Sequence, residues 1–306
     1  MGHTHCIQFI HIVLITKDLE CLIHEDSKIF LCAYIAGIVT NLKGQFLARS
    51  AQANHIHLLL SLPTDCPVSD FLCKLKSCTS KWYRSQNKKT SNFSWAEGYL
   101  AFTVSPKSIE RVKKYFTQEE QRHLKDKDKK SLINELVSFL EIHDIAFNPQ
   151  YLTRTTYTRL IYHLVWSVKN RAPSLDKSIQ KILHDKIRSE AEMKGGKLYA
   201  IGNIADHLHL LVECPSKLAT ADLVLKLKTA TTYLINSKQP QKNHFSWQEG
   251  FGVFSVGRPA LEVVTDYVNN QENHHRTCSF EEEWRKNGAL SYIDTTPICE
   301  KMTYPS

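Results

Sequence analysis

Polar and apolar residues alternate with period two along Asp206-His207-Leu208-His209-Leu210-Leu211-Val212, and again along Asn54-His55-Ile56-His57-Leu58-Leu59-Leu60. Side chains two apart share one face of a strand, so each stretch predicts a strand with a core on one side and two imidazoles on the other. Around the first histidine strand the pattern predicts a buried β-branched strand over Cys6 to Thr16 and a helix over Asp26 to Val39 capped by Ser27. A turn at Asn41-Leu42-Lys43-Gly44 leads into a strand from Gln45 to Ala53, and Pro63 ends the histidine strand that follows. Phe71, Leu72, Leu75, Cys78 and Trp82 then fall at helical spacing within Ser69 to Arg84, with Ser69 as N-cap. A polar loop over Ser85 to Asn92 precedes a strand over Phe93 to Val104. A helix opened by Pro106, with an Ile109, Val112 and Phe116 stripe, comes next. Lys125 to Lys130 reads as a charged connection, and Leu132 to Ile142 as a closing amphipathic helix.

The same order returns in the second half. Strands are expected over Leu160 to Val168, Lys197 to Ala205 and Gly250 to Val256, besides the histidine strand. Helices are expected over Leu175 to Met193, Ala219 to Asn236 and Pro259 to His275, with Gly195-Gly196 as a tight link. The landmarks keep one offset: His55 and His207 are 152 positions apart, as are His11 and His163, Pro63 and Pro215, Phe93-Ser94-Trp95 and Phe245-Ser246-Trp247, and Tyr115 and Tyr267. A period this long is the size of a domain, not of a solenoid repeat. The reading is two homologous domains in tandem, 1–152 and 153–306. The element order β-α-β-β-α-β-α makes each an α+β domain of the RRM or ferredoxin-like kind, an antiparallel sheet covered by helices. Beyond Phe280 the halves diverge and the tail looks less regular.

Composition narrows the class. With 306 residues and 42% hydrophobic content, each half is long enough to bury a core of its own. A formal charge of +8 leans towards a polyanionic partner. No apolar run approaches the ~18 residues of a membrane span, and no signal-peptide pattern is present. The nine cysteines are odd in number, unmatched between the halves and without a C-x-x-C pair. They read as thiols of a reducing cytoplasm, with neither a disulfide framework nor a zinc finger.

The chemistry gathers on two helices. Tyr267 and Gln271 are four apart and share a helical face, as do Tyr115 and Glu119. Two imidazoles with one amide or carboxylate oxygen suffice to hold a divalent cation with open positions, and a tyrosine beside it is a candidate nucleophile. His11 and His163 sit inside apolar strands and read as core histidines, and Trp95 and Trp247 as packed more than base-stacking.

His-x-His on a strand, then Phe-x-Trp-Gln-x-Gly, then a helix bearing Tyr-x-x-x-Gln resembles the single-tyrosine HUH transposases, including the REP-associated tyrosine transposases. The second half carries the fuller version, through Phe245-Ser246-Trp247-Gln248-Glu249-Gly250 and Tyr267 to His275. The resemblance implies a metal-dependent nuclease and strand transferase acting on single-stranded DNA with hairpin ends, through a 5′-phosphotyrosine intermediate. It implies Tyr267 and Tyr115 as nucleophiles. It assigns Mg²⁺ or Mn²⁺ to His207, His209 and Gln271, and to His55, His57 and Glu119. Lys228, Lys76, His274, His275 and Arg122 stand as candidate DNA contacts. In the first half Asn54, Glu119 and Arg122 replace Asp206, Gln271 and His274. The duplication suggests a monomer that acts as a covalently linked pseudo-dimer, its tyrosine helices serving either histidine pair. Two other classes stay open: a metal hydrolase that activates water with the histidines, and a domesticated, non-catalytic binder of DNA hairpins.

Overall fold

The computed structural model describes residues 4–86, 90–123, 129–238 and 244–275. Over 120–123 it describes the helical backbone but not the side chains, so Arg122 lies outside the described side chains, and the tail beyond Phe280 lies outside the described residues. Two five-stranded sheets carry the architecture. The described residues form two compact units, one of residues 9–63 and 68–159, the other of 4–8, 64–67 and 160–275.

In the first unit, β2 (Phe9–Ile15), β3 (Gln45–Ala51), β4 (His55–Ser61), β5 (Leu100–Val104) and β6 (Tyr157–Arg159) stand in the order β3-β4-β2-β5-β6. The first four are antiparallel, while β6 joins β5 in parallel. Both faces are covered, so β4 is buried through Leu60 and not only on its core side. Helix α1 (Glu25–Asn41) packs on β3 and on α2 (Val68–Gln86). Helices α3 (Ile109–His123) and α4 (Lys129–Ile142) close the histidine face, where Leu59, Phe102, Val112, Phe116, Leu136 and Phe139 form one cluster. Burying each of these side chains contributes about 1.5–3 kcal/mol.

The second unit repeats the plan. Its strands are β7 (Ile161–Ser167), β8 (Lys197–Asn203), β9 (His207–Glu213), β10 (Gly252–Val256) and β1 (His5–Ile7), in the order β8-β9-β7-β10-β1. Here β1 is the parallel edge, pairing His5 with Gly252 and Ile7 with Phe254. Helix α5 (Lys177–Met193) packs on β8 and on α6 (Thr220–Lys238), and α7 (Leu261–Asn269) lies against β8 and β9. Each unit thus takes its edge strand from the start of the other repeat. The single strand expected over Cys6 to Thr16 is therefore two, split at Gln8, and that expected over Leu160 to Val168 extends to β6 and β7.

Smaller departures follow from the caps and from packing. Ser27 does not cap α1, whose N-cap is His24, and Ser69 lies inside α2 with its hydroxyl donating to Asp70. Phe93 and Trp95 precede β5 in irregular chain, tied by a bridge between Thr16 and Trp95. Gly195 takes a left-handed φ of 76°, and Lys43, its counterpart one repeat earlier, accepts the same region at 59°. The helix expected over Pro259 to His275 breaks at Asn270, giving α7 and a short α8 (Gln271–His274), where α3 is continuous. Among the described residues no helix is long and apolar enough to cross a membrane.

Candidate active site

Strand β9 projects His207 and His209 towards α7, and both are fully buried. Close approach of the helix depends on Gly202 of β8, since a Cβ there would stand 2.0 Å from the Val268 carbonyl oxygen and 3.2 Å from Gln271 Cγ. Each imidazole is oriented through Nδ1. His207 Nδ1 lies 2.8 Å from Asp206 Oδ1, and Asp206 Oδ2 accepts from Arg171 Nη2 at 2.7 Å and Nε at 3.0 Å. His209 Nδ1 lies 3.0 Å from His163 Nε2. That leaves the Nε2 side of both rings for the site, where His207 Nε2 meets His275 Nε2 at 3.0 Å. One donor atom each from His207, His209 and His275 falls within 4.8 Å of the others.

Tyr267 is half-buried beside them, its ring 5.8 Å from that of His209 and 5.9 Å from that of His163. Its hydroxyl oxygen is buried and makes no hydrogen bond among the described residues. The same holds for Gln271 Oε1, while Gln271 Nε2 donates to the Tyr267 carbonyl at 3.2 Å. Burial pushes His207 and His209 below the usual imidazole range and takes His163 down to about 3. Asp206 is held at about 2, because His207 and Arg171 outweigh the effect of its burial.

The first unit builds a different cluster from the same positions. His55 Nε2 lies 2.8 Å and His57 Nε2 3.3 Å from Glu119 Oε1. A second carboxylate enters from α4: Glu135 Oε1 is 3.3 Å from His57 Nε2, and Glu135 Oε2 is 3.7 Å from His55 Nε2. Tyr115 donates its hydroxyl proton to Glu135. Asn54 Oδ1 holds His55 Nδ1 at 2.8 Å, and His11 Nε2 holds His57 Nδ1 at 2.9 Å. Burial alone would lower His57, but the two carboxylates raise it well above the imidazole range and are themselves paired by it.

Each tyrosine helix therefore lies with the histidine pair of its own repeat: Tyr115 with His57, at 5.9 Å between rings, and Tyr267 with His209. His274 and His275, expected as DNA contacts, are both half-buried at this site, with His274 5.1 Å from the Tyr267 ring. Lys76 and Lys228 are engaged otherwise. Lys76 Nζ donates to the carbonyls of Ala96 and Glu97, and Lys228 Nζ to those of Gln248 and Gly250. Trp95 and Trp247 are packed, each indole donating at 2.8 Å to a buried threonine, Thr79 and Thr231. Pattern reading missed Glu135, although a carboxylate between Leu132, Leu136 and Phe139 on an apolar stripe was a visible signal. It also missed that His11 and His163 orient the other histidines, a diagonal contact across neighbouring strands: His11 faces Leu59 and His163 faces Leu211, each two positions from the histidine it holds.

Both clusters suit a divalent cation. In the first unit imidazole nitrogens converge with carboxylate oxygens, and in the second three imidazoles converge. Gln271 Oε1 in the second unit is buried and has no hydrogen-bond partner among the described residues. Buried polar atoms are costly to leave without partners, and a cation would satisfy them.

The profile described as transposase, IS200 like, matches residues 7–119 and again residues 156–271. The transposase for insertion sequence element IS200 of Salmonella typhimurium is 24% identical over 115 residues, which cover 36% of this chain and 75% of that protein. Its counterpart in Salmonella typhi aligns equally well. Among solved structures, a REP-associated tyrosine transposase bound to a REP hairpin is 13% identical, with a TM-score of 0.32, over 48% of this chain and 88% of its own. A Deinococcus radiodurans R1 protein described as a transposase is 29% identical, with a TM-score of 0.30, over 37% of this chain and 91% of its own. With the family's profile matched by both halves, this chain belongs to the IS200-like transposases and is a DNA transposase built as a tandem duplication.

Proposed function

We propose that the second repeat cuts and rejoins single-stranded DNA through a covalent bond between Tyr267 and a 5′ phosphate. His207, His209 and Gln271 would hold Mg²⁺ or Mn²⁺, with His275 beside them. What carries this reading is the Tyr267 phenol, lodged next to the histidine cluster with a hydroxyl that no hydrogen bond engages among the described residues. When bound, the cation supplies polarisation of the scissile phosphate and offsets charge that builds up on its oxygens.

The protein's own groups do the rest. Asp206 and His163 fix the two ligand rings through Nδ1, which sets tautomer and aim. Tyr267 Oη forms a bond to phosphorus while the bond from phosphorus to the 3′ oxygen breaks. The phenol loses one proton and the departing 3′ oxygen gains one, so the step is balanced. The phosphotyrosine bond keeps the free energy of the broken one, so the 3′-hydroxyl of another strand can reverse the step and join new ends.

The substrate we propose is a single strand with stem-loop ends, and we assign His274, whose ring lies 5.1 Å from that of Tyr267, as a contact to it. Carrying both repeats in one chain suits a monomer working as a pseudo-dimer. The free cysteines among the described residues suit a reducing cytoplasm. A denaturing gel of the protein with labelled stem-loop DNA and Mn²⁺ tests the reading: a covalent band is expected that Tyr267→Phe loses. Continued cutting by that variant would make water the nucleophile, and binding without cutting would leave a hairpin-binding protein.

A further inference from the structure

The two histidine clusters differ in how fully the protein closes them. Around the first, four donor groups come from three elements: His55 and His57 on β4, Glu119 on α3 and Glu135 on α4. Their facing atoms are 2.8, 3.3, 3.3 and 3.7 Å apart. Donors bound at about 2.0–2.1 Å around a tetrahedral ion sit roughly 3.3 Å from one another, a value that these imidazole–carboxylate separations bracket, and one donor atom from each of the four residues lies within 4.8 Å of the others. None of the four residues is more than 9% exposed. Glu135 stands on a stripe with the fully buried Leu132, Leu136 and Phe139, a place where a carboxylate is costly unless it is paired. The phenol of Tyr115, 3% exposed, is committed to Glu135. In the second unit the matching phenol makes no hydrogen bond among the described residues, and the third imidazole comes from the half-buried His275 after the break at Asn270.

We propose that the first cluster is a closed, structural site for a divalent transition metal of the Zn²⁺ type. His55, His57, Glu119 and Glu135 are its ligands, and Tyr115 positions Glu135 instead of attacking DNA. This rests on the reading that the histidine pairs hold cations, and it gives the repeats different duties. Structural sites use four protein ligands, whereas catalytic ones keep a position open for substrate. The extra carboxylate removes that opening.

The test uses the full chain. After loading with Zn²⁺ and dialysis against EDTA, elemental analysis should find about one ion retained per chain, and close to none in Glu135→Gln, which keeps the shape of the side chain. The His207→Ala, His209→Ala double variant should retain the ion. Tyr115→Phe, which keeps the ring, should weaken Zn²⁺ by about tenfold or more in competition with a chromophoric chelator. Retention of the ion by Glu135→Gln at unchanged affinity would overturn the proposal, and so would an unchanged affinity in Tyr115→Phe. Mass spectrometry of the covalent DNA adduct should find it on the Tyr267 peptide. An adduct on Tyr115 would also overturn the proposal while leaving phosphotyrosine chemistry intact. Zinc held through Glu135 with no adduct on either tyrosine would instead remove the proposed function and leave the structural site standing.

Discussion

At the scale of single residues, buried imidazoles set how the protein responds to acid. His163 has its pKa lowered to about 3 by burial, while an unfolded chain would titrate near 6.5. Between those values the unfolded state binds the extra proton, so stability falls as pH drops from about 6.5 towards 3. From pH 7 to pH 5 this histidine alone should cost about 2 kcal/mol. His209 and His11, also depressed, act in the same direction. Urea denaturation at the two pH values checks this, and His163→Gln should flatten the slope. The lysines of α2 and α6 make a separate case. Lys228→Met leaves the Gln248 and Gly250 carbonyls without their donor and should destabilise the fold by about 1–3 kcal/mol in the same assay. Spacing identified the histidine pairs and tyrosines as special. It could not tell that Lys76 and Lys228 turn back to a loop twenty residues on, because a lysine on a helix has the same sequence context whether it faces solvent or carbonyls.

At the scale of elements, the closeness of a helix to a sheet decides which side chains can meet. Gly202 is the point where β8 and the end of α7 touch, while its counterpart in the first repeat is Ser50, also fully buried. Gly202→Ala would drive a methyl into the Val268 carbonyl, so α7 must shift, at a cost of about 1–3 kcal/mol. The expected readouts are a lower melting temperature and a weaker covalent adduct at Tyr267, since Tyr267 moves with the helix. Period and turn residues made the two histidine strands and most helices legible, including α1 and α2 to within a few residues of their ends, while β5 starts only at Leu100. The break at Asn270 was not legible, since Tyr267 to His275 reads as continuous helix by spacing alone. Nor was Ser69's place inside α2, because a serine beside a helix start caps it only if the chain leaves helical geometry there.

At the scale of the whole molecule, compact units and sequence repeats do not share their boundaries. Residues 5–7 complete the sheet that contains β10, and residues 157–159 complete the one that contains β5. A fragment of residues 9–159 should therefore melt about 5 °C or more above a fragment of residues 1–152, which lacks β6 and carries β1 without its sheet. Thermal denaturation followed by circular dichroism would settle it, and equal stability would deny β6 its part in the first unit. By itself the sequence determined the duplication, the α+β class and the identity of the histidine and tyrosine motifs, because local periodicity and a constant offset are properties of the chain alone. Tertiary structure decided which tyrosine lies by which histidine pair, the entry of Glu135, the orienting roles of His11 and His163, and the origin of each edge strand. Those depend on contacts between residues far apart in the chain, and no local pattern specifies a partner at such a distance.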